Sequence, residues 1–502
     1  MKSTILLRVG AVAALFLLLS SLSVMSAEGQ PAEFLTGLRM PSAEEKALLE
    51  KTAVRLSAPT KSADELPSSV KNIEFLPVVG RQMLPNCGAF APTYYMKTYQ
   101  EARKRGWGRP NTPDRIMSPG IAYAFGQSDV SGAYMGGTIQ IMCQVGILPL
   151  SLLPDTYLYD LTRFPSAKLF LEAMPYRSGE MVVFDSKSEE GLLAIKEWLA
   201  KGELAVFGIG ISQATFDYGR KLNVPDVNNE VIYGLGGDLF DWHALTLIGY
   251  DDNKTYHDGT EEKRGAFYGI NSWGGTWGVE DPDIGTGGFF WLSYDYFRGN
   301  AYSDAYSMTM RDNPVPKWVG LFEYEHPHAH QAAISFRGGS WNNSEWSASW
   351  PPGYPSIDTG YQRFYPLAVD FTGDGQDSSE IFWWGVANYG AIPGIPHPKR
   401  DGRAYSFRVF KYEDAVDAHA GSLFYPGLNK IWRDIQLDDI NAPSIDAEGL
   451  PIDVTGTLLN MIYIPAGIFD AGEEILSPPL IGDMVLADLN KSGLPDIIAI
   501  GN

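Results

Sequence analysis

The chain has 502 residues, which at roughly 100–200 residues per domain predicts two or three domains. It carries 39 Lys and Arg against 60 Asp and Glu, a net charge of −21, which excludes nucleic acid as the main partner because phosphate binding needs a basic face. Apolar residues make up 45% and charged residues 20%, a composition that excludes a largely disordered chain, a coiled coil and a collagen.

The first 27 residues have the pattern of a secretory signal peptide. Lys2 and Arg8 precede an apolar run from Val9 to Val24, and small residues follow at Ser26 and Ala27. A membrane anchor is the alternative, but the run is shorter than the roughly 20 apolar residues that a span needs. The sequence therefore predicts a secreted or periplasmic protein with no membrane span after signal removal.

The rest of the chain divides by composition into four segments. Residues 28–64 are polar and are predicted to be a leader or pro-segment, and 65–312 alternate helical and strand patterns. Residues 313–360 are predicted to be a linker with the start of a β unit, and 361–502 a β-rich domain. Within 65–312 we predict helices at 89–104 and 191–199 and strands at 204–211, 244–250, 265–270 and 288–292.

Cysteine usage points to chemistry rather than to a disulfide framework. Only Cys87 and Cys143 occur, although an exported protein could use disulfides. Either the two form one bridge or at least one is free. The sequence around Cys87 favours a free thiol, and we expect Cys143 to be a free buried thiol on a helix.

Three residues that are far apart in the chain form a candidate catalytic set. Cys87 lies at the start of a predicted helix, where the helix dipole favours a thiolate. His243 opens an apolar strand, and Asn271 directly follows another strand. An imidazole can hold a thiolate and later act as a general acid, while an amide can fix the orientation of the imidazole.

At these residues the chain resembles the papain-like cysteine peptidases, over about 245 residues from Leu66 to Met310. The matching segments occur in family order: 66–70, 87–91, 117–119, 136–137, 146–147, 155–157, 195–211, 241–243 with 249–250, and 271–273 with 277–278. The resemblance implies an α+β fold with two lobes, one mainly helical and one a β-barrel. A small all-β C-terminal domain is expected to follow it.

The resemblance also implies a role for each matching residue. Cys87 would be the nucleophile, His243 the base and acid, and Asn271 the residue that orients the imidazole. Gln82 and the Cys87 N–H would form the oxyanion hole, Trp273 would shield the His–Asn hydrogen bond, and Gly136 and Gly137 would pair with an extended substrate. The substrate would be a peptide or protein, and catalysis would need no cofactor.

Several positions depart from the family pattern. Gly88 stands where the family usually has Trp, and Gln82 lies five residues before Cys87 (87 − 82), one fewer than usual. His243 and Asn271 lie 156 and 184 residues after Cys87 (243 − 87; 271 − 87), which implies insertions near 217–237 and 251–263. These departures leave two alternatives open: a catalytically inactive peptide-binding protein, or a Cys-His-Asn amidase or acyltransferase.

Two aspartate-rich stretches in the C-terminal region are candidate calcium loops. Oxygen-bearing side chains recur at alternate positions before a glycine, at Asp370, Thr372 and Asp374 and again at Asp488, Asn490 and Ser492, with Asp496 following. The twelfth-position Glu of an EF-hand is absent, and both stretches instead resemble FG-GAP-type repeats. Hydrogen-bonded Asp/Gly turns are the alternative to Ca²⁺ binding. The cluster His326–His330 is interpreted as a solvated loop rather than a zinc site.

Overall fold

The computed structural model describes residues 34–41, 46, 53–56, 59–129, 132–154, 167–218, 224–301, 304–312 and 315–316, then Tyr412 and the separate strands between 318 and 499. The chain divides into two units, Met1–Leu35 and Thr36–Asn502, and all of the described helices and strands belong to the second. The predicted signal peptide lies outside the described residues. Among the residues described, no helix combines the length and hydropathy needed to cross a membrane.

The central helix α1 carries Cys87 at its first residue. It runs as α-helix through Cys87–Phe90, as π-helix through Ala91–Lys97 and as α-helix again through Thr98–Arg105, close to the predicted 89–104. It ends at Gly106, whose φ of 65° suits glycine. Its buried Glu101 accepts ion pairs from Lys97 at 2.7 Å and Arg105 at 2.8 Å, so the charges that α1 takes into the interior are paired.

The remaining described helices are shorter and surround the sheet. They are α2 (Gly120–Gly126), α3 (Met135–Gln144), α4 (Ala167–Ala173), α5 (Glu189–Ala200), α6 (Gln213–Tyr218) and α7 (Tyr294–Asn300). Short 3₁₀ turns occupy Ala63–Glu65 and Met174–Tyr176. Ser188 caps α5 by accepting from the Gly191 N–H at 3.0 Å, which explains why that helix starts where it does.

The strands described before residue 311 are β1 (Val54–Arg55), β2 (Ser69–Lys71), β3 (Gln127–Asp129), β4 (Gly132–Ala133), β5 (Ser178–Phe184), β6 (Ala205–Ile211), β7 (Val227–Asn228), β8 (Val231–Ile232), β9 (Asp241–His257), β10 (Glu262–Ile270), β11 (Val279–Asp281), β12 (Thr286–Ser293) and β13 (Ala305–Met310). Strands β3 and β4 form a small hairpin. The others form one sheet in the order β1-β5-β13-β6-β9-β10-β12-β8-β7, with β2 on β9 and β11 on β12. The four predicted strands all lie within it.

Strand β9 lies between β6 and β10 and is buried over its first half. It pairs antiparallel with both, so His243 lies opposite Ile209 and Thr246 lies opposite Ile270. Helix α1 packs on this part of the sheet, with Met96 in one core cluster with Val206 and Ile248. The mixed helix-and-sheet composition of the predicted class is confirmed, and the two-lobe layout stays a prediction.

Part of the predicted leader belongs to the folded unit. Strand β1 pairs in parallel with β5, placing Val54 opposite Val182. The backbone N–H of Thr60 donates to the Glu197 carboxylate at 2.7 Å. Sequence reasoning missed this because polar composition alone does not show where a two-residue strand will pair.

The C-terminal strands are β14 (Trp318–His326), β15 (Ala332–Ser340), β16 (Asn343–Trp350), β17 (Gln362–Asp370), β18 (Ile381–Asn388), β19 (Arg403–Lys411), β20 (Ile435–Gln436), β21 (Leu458–Pro465), β22 (Met484–Ala487) and β23 (Asp496–Ala499). They form two sheets, β17-β14-β19-β20 and β16-β15-β18-β21-β23-β22. Because β14 and β15 pair with strands beyond residue 361, strand pairing crosses the predicted boundary. The FG-GAP resemblance of this region and its status as a separate all-β domain stay predictions.

Candidate active site

Cys87 and the start of β9 meet at the first turn of α1. The Asn86 carbonyl accepts from the N–H groups of Ala89 at 2.8 Å and Phe90 at 2.7 Å, which begins the helix at Cys87. The Cys87 sulfur is buried and accepts from the Ala244 N–H at 3.5 Å. Cys87 and Cys143 are both free, so no disulfide joins them.

His243 is held by the loop that follows β10. Its Nε2 lies 2.8 Å from Oδ1 of Asn271, and the ring of Trp273 stacks on the imidazole with centroids 4.5 Å apart. The Tyr95 hydroxyl donates to the Asn271 carbonyl at 2.8 Å and so ties this loop to α1. Sheet, loop and helix therefore converge on one imidazole.

The other ring nitrogen of His243 differs from Nε2 in its hydrogen bonding. Among the described residues, Nδ1 of His243 makes no hydrogen bond, and neither does either side-chain amide atom of the buried Asn86. Because Nε2 is bonded to Asn271, Nδ1 is the imidazole nitrogen that keeps no hydrogen bond within the described part of the chain. The Cys87 sulfur reaches the same strand through the N–H of Ala244, the residue after His243.

Burial holds the two groups in their neutral forms. It raises the pKa of the Cys87 thiol well above its ordinary range, against the N–H of Ala244, and the charge of Asp241 raises it further. Burial also lowers the pKa of His243 to about 4, and the hydrogen bond with Asn271 opposes this shift. Burial thus opposes a thiolate–imidazolium pair at this place.

Gln82 lies beside the Asn271 loop, and its side-chain amide is fully engaged. Its Nε2 donates to the carbonyls of Thr36 at 3.1 Å and Leu84 at 2.9 Å, while its Oε1 accepts from the Ser272 hydroxyl. Both protons of the predicted oxyanion donor are therefore used. One of them is held by a residue from the predicted leader.

That residue belongs to a short segment, here called the strap, formed by residues 36–39. Ala133 of β4 donates its N–H to the Gly37 carbonyl at 3.0 Å and accepts from the Arg39 N–H at 3.1 Å, a parallel β-bridge centred on Leu38. Gly37 has a φ of 127°, and a Cβ there would lie 2.0 Å from the Pro85 oxygen. The strap thus lies against the loop that leads into Cys87.

The structure explains the glycine that follows Cys87. A Cβ at Gly88 would lie 2.1 Å from the Ala133 carbonyl oxygen, so the β3–β4 hairpin occupies the space of a larger side chain. Gly136 and Gly137 lie in the first turn of α3, and their substrate role stays a prediction. In the structure the backbone of Ala133 pairs with an extended segment, the strap. Sequence reasoning missed this residue, although the small pair Gly132–Ala133 just before α3 was a usable signal.

The predicted calcium ligands fall mostly outside the described residues. Asp370 ends β17 and Asp496 begins β23, whereas Thr372, Asp374, Asp488, Asn490 and Ser492 are not among the residues described. In the described part of the chain, no three His, Cys, Asp or Glu side chains come together as metal ligands. Calcium binding therefore stays a prediction.

Comparison with known proteins gives structural neighbours only. No protein-family model matches the chain, and no curated protein matches it. Xylellain, a cysteine protease from Xylella fastidiosa, is 19% identical with a TM-score of 0.40, covering 57% of this chain and 100% of that one. Digestive procathepsin L 3 of Tenebrio molitor is 18% identical with a TM-score of 0.36, covering 55% and 84%.

A third neighbour extends further along the chain. The cysteine protease and lectin-like domains of Cwp84 from Clostridium difficile are 14% identical with a TM-score of 0.34, covering 78% of this chain and 97% of that one. At these identities and TM-scores, the likenesses do not by themselves assign an activity to this chain.

Proposed function

We propose that the chain is an exported cysteine peptidase of the papain-like type. The observation that supports this most directly is the His243–Asn271 hydrogen bond of 2.8 Å beside a buried thiol at a helix start. These are the residue types that nucleophilic catalysis by a cysteine needs, and the hydrogen bond joins the expected base to its expected orienting amide. Export rests on the sequence pattern of residues 1–27.

In the proposed reaction, the Cys87 thiolate attacks the carbonyl carbon of a peptide bond. The oxygen takes up negative charge, which the Cys87 N–H and the freed Gln82 amide would stabilise. His243 passes its proton to the leaving nitrogen, the C–N bond breaks, and a thioester remains on Cys87. Water then attacks the thioester while His243 takes a proton from it. Release of the carboxylic acid product returns Cys87 and His243 to their starting state.

The chain offers a matched pair of cysteines for the test. Full-length protein is treated with a thiol-alkylating peptidyl probe and assayed on a quenched fluorescent peptide mixture, next to Cys87→Ser and Cys143→Ser. We expect labelling and turnover to be lost in Cys87→Ser and kept in Cys143→Ser. The same assays are run on Gly37→Ala, in which the strap is displaced. If this variant is also inactive, the inactivity is not due to the strap, and the proposed function fails.

One alternative has support from a specific observation. Both Gln82 amide protons are engaged, and Gly88 lies against Ala133, so an inactive peptide-binding protein is the second candidate. It requires that Gly37→Ala bind peptides without cleaving them. Trapping of a thioester on Cys87 would exclude it, and transfer of the acyl group to added amines would instead indicate an acyltransferase.

A further inference from the structure

Asp241 lies on the same face of β9 as His243. It is the first residue of the strand and precedes the histidine by two positions, so both side chains point to one side of the sheet. Its backbone is fixed opposite Ile211 of β6, and the Trp242 N–H donates to its Oδ1 at 2.8 Å. The carboxylate is thus held in a defined place rather than on a loose loop.

The strap supplies one of the groups that bind this carboxylate. The Thr36 hydroxyl donates a short hydrogen bond to Oδ2 of Asp241, while the carbonyl of the same residue accepts from Nε2 of Gln82. Thr36 therefore binds Gln82, the predicted oxyanion donor, through its carbonyl and Asp241 through its side chain. Asp241 also acts on the nucleophile, since its negative charge disfavours the Cys87 thiolate.

We propose that Asp241 is a specificity-determining residue that binds a cationic side chain, Lys or Arg, of a peptide substrate close to the scissile bond. This inference rests on the proposed peptidase function. In the structure the Thr36 hydroxyl holds that place with a neutral hydrogen bond. A charge-assisted bond from Lys or Arg is about twice as strong, and an apolar side chain that displaced the hydroxyl would make no hydrogen bond in its stead. The net charge of −21 also attracts basic peptides toward the protein.

The test compares substrates that differ in charge and hardly in shape. Quenched fluorescent peptides carry Arg or its neutral isostere citrulline at each of the two positions before and the two after the scissile bond. With the full-length chain we expect kcat/KM to favour Arg by about tenfold or more at one of these positions, of the order that a hydrogen bond to a charged group supplies. In Asp241→Asn that ratio falls to about one.

Asp238→Asn is the matched control. It removes the same charge three residues earlier, from an exposed position. The Arg preference should survive in it, because the general charge of the protein changes equally in both variants. An Arg preference of about one in the native chain, or a preference that persists in Asp241→Asn, would overturn the proposal.

A binding measurement separates this inference from the proposed function. The Cys87→Ala chain is titrated with the Arg and citrulline peptides by fluorescence anisotropy, with and without Asp241→Asn. If the native chain cleaves no peptide while Cys87→Ala binds Arg through Asp241, the peptidase function fails and the specificity site stands. If cleavage occurs without charge preference, the specificity site fails and the peptidase function stands.

Discussion

Nε2 of His243 and Oδ1 of Asn271 lie 2.8 Å apart although 28 residues separate them. The ring of Trp273, which is almost fully buried, stacks on the imidazole that makes this bond. Since Nε2 is fixed in this way, the orientation of the imidazole and the availability of Nδ1 both depend on the amide of Asn271.

Asn271→Ala should therefore reduce turnover without unfolding the protein. Loss of the orienting acceptor lets the imidazole rotate, and we expect kcat to fall by about 10²-fold, within the usual contribution of a positioned general acid or base. Asn271→Asp keeps an acceptor at the same place and should recover part of kcat. Equal kcat in Asn271→Ala and the native chain would contradict the orienting role, with thermal unfolding as the check on folding.

The strap is expected to hold the native chain in a low-activity state. Gly37→Ala places a Cβ against the Pro85 oxygen, so the strap must move and free the Gln82 amide proton that the Thr36 carbonyl holds. We expect the alkylation rate of Cys87 by iodoacetamide, measured by mass spectrometry, to rise about tenfold or more as burial of the thiol is relieved.

Gly108→Ala is the control for this variant. Gly108 also has a positive φ, of 65°, but a Cβ there has no neighbour within 4 Å. Ala at this position also stands at a positive φ, in the milder left-handed helical region, and meets no clash, so alkylation of Cys87 should stay at the native rate. Equal rates in Gly37→Ala and Gly108→Ala would show that the strap does not restrict access to the thiol.

The sequence predicted the site as far as local patterns define it. Cys87 at a helix start, His243 on an apolar strand and Asn271 after the next strand each lie in a segment whose periodicity identifies its element. Hydrogen bonding between His243 and Asn271 then follows from antiparallel pairing of β9 and β10. Short-range regularity was sufficient for this part.

The remaining features depend on pairings that no local pattern specifies. The strap pairs with Ala133 across nearly a hundred residues, through two backbone hydrogen bonds that any side chain permits. Residue 88 must be small because the Ala133 oxygen of the β3–β4 hairpin lies where a Cβ would be. Asp241 gains its place from the register of β9 on β6, and a register is fixed by the whole sheet rather than by one strand.

Gly88→Ala tests the close approach of the hairpin. The added Cβ would lie 2.1 Å from the backbone oxygen of Ala133, which cannot turn aside as a flexible side chain could. We expect the free energy of unfolding to fall by about 1–3 kcal/mol, as for overpacked cores, in urea titrations followed by Trp fluorescence. Gly299→Ala, where a Cβ meets nothing within 4 Å on α7, should not lose stability. If Gly88→Ala were as stable as Gly299→Ala, strand β4 would be able to move away from residue 88 at little cost, and the prediction would be wrong.

Acid should destabilise the covered site through His243. Its pKa in the folded chain is about 4 against an ordinary 6.5, so the unfolded chain binds its proton first as the pH falls. Above about pH 6.5 the imidazole is neutral in both states, and its titration costs the folded chain nothing. From about pH 6.5 down to pH 4 the cost grows, to a total on the order of 3 kcal/mol. Carboxylates elsewhere in the chain also take up protons as the pH falls, so the share of His243 has to be measured separately.

A variant isolates the contribution of the histidine from those other groups. His243→Gln cannot take up the proton, so the difference in unfolding free energy between pH 7 and pH 4.5 should be smaller in it than in the native chain. Urea titrations at both pH values measure this difference. Protection of the backbone N–H groups of residues 36–39 from hydrogen exchange, corrected for the intrinsic exchange rate at each pH, should also fall at pH 4.5 in the native chain, because a protonated imidazole favours a solvated site. Equal pH dependence in both chains would mean that His243 titrates normally and that the strap does not bury it in solution.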